Sequence, residues 1–189
     1  LQLADTTVFP SMATAGQGDG SVSRLASLKA VSEKYPLRGA IKIADAVDST
    51  GQPATAIPDA GTVWVDGPLL NALNVRIGDT LKLGDKSFVI AKIITLEPDR
   101  GAGFMNFAPR VMLAKSDLAA TNLIQFGSRV SYRLLLAGPK AAVDDFGKFM
   151  ERQIDAHKMR GVRIESLESG RPEMRATLQR AEQFLSLVG

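Results

Sequence analysis

The chain has 189 residues and a mass of 20.2 kDa, with 23 Lys and Arg against 20 Asp and Glu, a formal charge of +3. Hydrophobic residues at 45% and charged residues at 23% exclude disorder as the main state. The absence of Cys excludes disulfides, thiolate zinc sites and Cys nucleophiles, and the single His excludes two-His metal sites.

Leu1, Leu3, Thr7 and Phe9 alternate as in a strand, which Pro10 is expected to end or edge. The glycines of 16–20 make a turn, and Ala26, Leu28 and Ala30 mark a second strand that pairs with the first as a hairpin. Tyr35 to Gly39 is a turn, residues 40–44 a short strand, and 48–61 a loop rich in Gly and Pro. Thr62 to Val65 is a strand. Pro68 suits a first helical position, Leu69, Leu70 and Leu73 give that helix an apolar face, and Gly78-Asp79 is expected to stop it. Gly84-Asp85-Lys86 between two apolar runs signals a hairpin whose second strand continues to Pro98. Arg110 to Leu113 is a strand, and Ser116 starts a turn of helix. From Arg129 the pattern becomes strand, helix, strand, helix. The first helix carries Phe146, Phe149 and Ile154 and ends at Gly161, Val162, Ile164 and Leu167 form a strand, and Pro172 opens the last helix.

His157 lies at the polar end of a helix with no second ligand or paired carboxylate at a useful spacing, and is read as solvated. Gly101-Ala102-Gly103 lacks both phosphate-loop patterns. The residues after it, Phe104, Met105 and Phe107, either meet an apolar partner or fold back on the core. Glu97, Asp99 and Arg100, around a Pro turn, are expected to be solvated, and Asp45 and Asp48 lack calcium-loop spacing. The sequence pI of 9.3 reflects a small excess over a balanced count, and no basic stripe interleaved with aromatics points to nucleic acid. Residues 148–180 hold eight cations against five carboxylates, which fits two helices with wet faces or proximity to anionic head groups.

No apolar run approaches the roughly 20 residues of a membrane span. The missing initial Met and the apolar run Phe184 to Gly189 lead us to expect a piece of a longer chain, continued beyond Gly189 by a membrane helix.

Several runs, in order, resemble a known family: Phe9-Pro10-Ser11-Met12, Ser27 to Val31, Tyr35 to Gly39, Pro58 to Asp66, and Gly78-Asp79. Glu97-Pro98-Asp99-Arg100-Gly101, Gly127 to Val130, Arg171-Pro172-Glu173 and Arg180 to Leu185 continue the series over nearly the whole chain. Together they resemble the first extracytoplasmic domain of YbbP-like ABC transporter permeases, in the MacB/FtsX-type superfamily.

The resemblance implies an α+β fold. A porter-like β-α-β-α subdomain (1–38 and 129–189) would hold an inserted small β-rich, Sabre-like subdomain (39–128). It also implies a non-catalytic domain without cofactor, on the periplasmic side of the inner membrane, in a permease of mechanotransmission type. The implied partners are a cytosolic ATP-binding subunit, a periplasmic lysophospholipase or esterase-type protein, and a hydrophobic or lipid-like substrate. Phe104, Met105 and Phe107 are the expected contact residues, and Met174, Leu178 and Leu185 mark the expected motion-relay helix. Two other classes stay open: a lipid-binding module, and a carboxylate hydrolase using Glu97 and Asp99.

Overall fold

A computed structural model describes residues 1–100 and 107–166. The chain divides into two compact units, Leu1–Gly138 and Pro139–Gly189.

The first unit is built on β1 (Gln2–Ala15), β2 (Val22–Val31), β3 (Lys42–Ala44), β4 (Gln52–Pro53), β5 (Thr62–Asp66), β6 (Thr80–Leu83), β7 (Lys86–Leu96), β8 (Arg110–Ala114) and β9 (Ser131–Ala137). Helix α1 (Gly67–Leu73) follows β5, and α2 (Lys115–Leu118) follows β8. Strands β7, β5, β8, β2, β1 and β6 pair in that order, and β6 pairs back onto β7, so six strands close into a barrel. Two of these pairings, β2–β8 and β5–β7, are parallel. The mixed strand and helix content expected of an α+β chain is present.

Alternation sorts the side chains of the barrel wall. Phe9, Ala13, Ala26, Leu28, Val63, Leu81, Leu83, Phe88, Ile90, Val111 and Leu113 share one core with Leu69, Leu70 and Leu73 of α1. Small residues at 13, 26 and 30 leave room for the leucines and Phe88. Each such fully buried Leu or Phe is worth about 2 kcal/mol of transfer free energy. The opposite face of the wall carries Val31, Trp64, Ile94 and Met112 and packs with Tyr35 and Ile41. Strand β8 is therefore buried along its whole length, as is the second half of β2, and neither shows a half-wet alternation.

Pro10 does not end β1 but sits where one edge of the strand is unpaired. The strand continues through it, opposite Ser27 of β2. The Ser27 amide donates to the Pro109 carbonyl at 2.7 Å, on the β8 side, so Pro10 and Ser27 do not exchange hydrogen bonds. The nitrogen of Pro10 then faces the other edge of β1. There β9 has stopped at Val8 and β6 begins only at Ala13, so the missing N–H interrupts no ladder.

Helix α1 also departs from expectation at its end. Asp66 caps its start by accepting from the Leu69 amide at 3.2 Å. Asn74, in the left-handed region at φ 51°, ends it before Gly78 is reached. The expected β6–β7 hairpin is present and turns on Gly84-Asp85, with Lys86 already in β7 opposite Leu83 rather than in the turn.

In the second unit, α3 (Lys140–Ala156) matches the expected helix, but it ends at His157 rather than Gly161. Residues 162–166 form no strand, contrary to the alternation of Val162 and Ile164. Leu167 and the last expected helix lie outside the described residues.

Candidate functional site

The expected contact residues Phe104 and Met105, and the relay residues Met174, Leu178 and Leu185, lie outside the described residues. Phe107 is described, and at 82% exposure its ring stands in solvent. It sits on the chain between β7 and β8, and the stem of that connection holds several linked ion pairs.

The expectation that Glu97, Asp99 and Arg100 are solvated is overturned. Glu97 is buried, its Oε1 accepting from Lys29 Nζ at 2.8 Å and its Oε2 from Arg110 Nε at 2.8 Å. Lys29 spends its other two donors on Asp99 Oδ1 at 2.8 Å and on the Tyr35 hydroxyl at 2.7 Å. Tyr35 in turn donates to Asp99, and Arg110 donates to the Ser27 hydroxyl. Arg100 is half-buried, donating to Asp66 Oδ2 at 2.9 Å and to the Ala108 carbonyl at 3.1 Å. Asp66 thus caps α1 with one oxygen and holds the stem with the other.

Strand geometry brings these groups together. Ser27 lies beside Arg110 and Lys29 beside Met112 in the parallel β2–β8 register, so the two cations share the outer face of the wall. Glu97 follows directly on the end of β7. The charges balance, two cations against two carboxylates, which such burial requires.

Burial by itself would lift the Asp99 pKa, but the Lys29 charge, with hydrogen bonds from Lys29 and Tyr35, outweighs it and holds the carboxyl below its ordinary value. Burial first, and then the neighbouring Asp99 charge, drive the Tyr35 phenol far above its ordinary value, so it stays protonated.

Elsewhere, Asp45 forms an exposed pair with Lys92, and among the described residues no group of three or more His, Cys, Asp or Glu gathers to hold a metal. His157 is exposed at the end of α3, with Nδ1 at 3.0 Å from the Gln153 carbonyl. Asp117 accepts from Lys86 Nζ at 2.6 Å and from the Gly61 amide at 2.7 Å, tying α2 to the barrel. An open cleft of about 400 Å³ is lined by Glu33, Lys34, Tyr35, Pro36 and Thr55.

Over 187 residues, 99% of its length, the chain is 30% identical to YbbP of Escherichia coli (strain K12), described as an uncharacterized ABC transporter permease. That identity establishes the resemblance to YbbP-like ABC transporter permeases. The chain spans about a fifth of that permease, 21% of its length. Two solved structures are similar at lower identity. One is the periplasmic region of MacB from Actinobacillus actinomycetemcomitans, with 16% identity, TM-score 0.45, and 82% of this chain against 68% of that one. The other is a domain of a putative permease protein from Porphyromonas gingivalis, with 13% identity, TM-score 0.46, and 81% against 70%. No protein-family model matches the chain. Among the described residues no helix is long and apolar enough to cross a membrane.

Proposed function

We propose that this chain is a non-catalytic extracytoplasmic domain of an ABC transporter permease of mechanotransmission type. It relays ATP-driven motion and meets a hydrophobic or lipid-like substrate, or a periplasmic partner of esterase type, at Phe104, Met105 and Phe107. The observation that carries this reading is the 30% identity running along 187 residues of a permease. ATP chemistry belongs to a separate ATP-binding subunit. The relay is assigned to Met174, Leu178 and Leu185, in the segment the sequence expects to be helical, because a helix is a stiff element suited to transmit displacement.

The inserted-domain architecture, 39–128 within 1–38 and 129–189, is part of the same reading. In its support, β1 pairs with β9 along Gln2–Val8, although from Thr6 on it also pairs with β2, and both strands share the barrel core with β5 to β8. The exposure of Phe107 supports a contact role over folding back onto the core. Against a carboxylate hydrolase stands the bonding of Glu97, whose oxygens are both taken by fixed cations.

The test is the complete permease with its ATP-binding subunit in lipid vesicles. Changing Phe104 and Phe107 to Ser together should lower substrate- or partner-dependent ATP turnover severalfold while expression and folding stay normal. Unaltered turnover would remove the contact role.

A further inference from the structure

Glu97, near the start of the connection that carries Phe107, and Arg110, at its end, belong to one buried ionic network. Lys29 and Arg110 lie, with Ser27, on an outer wall whose other buried residues include Val31, Trp64, Ile94 and Met112. Apolar residues would satisfy the packing there, and replacing a buried ionic network by apolar groups of similar volume is often neutral or stabilising. Directional bonds, unlike apolar contacts, fix one arrangement of the groups they join.

We propose that the Lys29–Glu97–Arg110 network positions the stem of the Phe107 connection and adds little net stability to the barrel. The stem is gripped from three sides. Lys29 of β2 holds Glu97 and Asp99 on the ascending limb, and Arg110 ties the first residue of β8 back to Glu97. Arg100 bonds the Ala108 carbonyl across the stem and Asp66 at the start of α1. Phe107 leaves the stem one residue before Ala108, so its exposed ring is presented from a fixed base. An apolar filling of the same volume would leave the two limbs free to slide past one another. The functional meaning of this clamp rests on the contact role proposed for Phe107, while the clamp itself is a property of the described residues.

The test compares the complete permease with the triple variant Lys29→Met, Glu97→Leu, Arg110→Met, by hydrogen exchange of residues 97–110 and by thermal unfolding. The proposal expects a midpoint equal to or above that of the parent, protection in β2 and β8 retained, and exchange at 97–110 at least tenfold faster. Unchanged exchange at 97–110 in the folded triple variant would overturn it, as would loss of the fold, which would make the network a stabiliser. The milder Asp99→Ala, at a side chain 34% exposed, should speed the same exchange while lowering the midpoint less than Arg110→Ala does, and an unchanged rate there also counts against the clamp. If exchange rises as expected while ATP-coupled turnover is untouched, the clamp stands and the contact role of Phe107 falls.

Discussion

Arg110 Nε donates to Glu97 Oε2 at 2.8 Å across thirteen positions of chain, and both side chains are out of water. Removing one member leaves the other buried with less compensation. Arg110→Ala is therefore expected to cost about 3 kcal/mol, within the range seen when a buried pair is broken. Urea unfolding of the purified protein measures it, and a loss below about 1 kcal/mol would show that Lys29 alone satisfies Glu97.

Gly84 and Gly18 share φ 58° but not their surroundings. A Cβ at Gly84 would overlap the Thr121 carbonyl oxygen, whereas at Gly18 nothing lies within 4 Å. Gly18→Ala should cost about 1 kcal/mol, the penalty of the left-handed region alone. Gly84→Ala should cost about 3 kcal/mol, because backbone must also move. Equal unfolding midpoints for the two variants would contradict this account of the hairpin.

The ionic groups set both pH limits. The folded pKa of Asp99 is depressed, and so is that of Asp117, where burial is outweighed by Lys86 and the Gly61 amide. Their contribution is therefore present above the unfolded value of about 3.9 and lost as pH falls through the folded value. Tyr35 has the opposite sign. Its folded pKa is raised from 10.0, so its contribution is full below about pH 10 and lost as pH climbs further. Denaturant midpoints from pH 2 to 11 should fall at both ends, with Tyr35→Phe flattening the alkaline limb. An alkaline limb unchanged in that variant would exclude Tyr35 as its cause.

Local signals were legible where the physics is local. The Gly84-Asp85 turn, the Pro68 helix start and the leucine face of α1 all follow from near neighbours. Asn74 pre-empting Gly78 is a near miss of the same kind, since either residue tolerates the left-handed cap. Barrel closure was not legible, because β6, besides its hairpin with β7, must meet β1 through a pairing about 70 residues apart that no short window contains. Nor was the charge network: Glu97 looks solvated beside Pro98, and its partner Lys29 is 68 residues away. Pro10 misled for a related reason. A proline opposes a strand only where its nitrogen faces a ladder, and here it faces the interval between β9 and β6. Of the residues the sequence offered for contact, Phe107 is exposed, while the charge pairs around Glu97 needed the fold.

Phe107→Ser should leave stability within about 0.5 kcal/mol, as expected for a surface position. A larger loss would mean that the ring packs against the protein and is not offered to a partner. Thermal unfolding separates the two.

The most direct test of the central claim is labelling of Phe107→Cys in the complete permease, freed of other cysteines, with a membrane-impermeant maleimide added from the extracytoplasmic side. The account predicts reaction without permeabilisation, at a rate that shifts severalfold when ATP hydrolysis is arrested. Labelling only after the membrane is opened, or a rate indifferent to nucleotide, would contradict it.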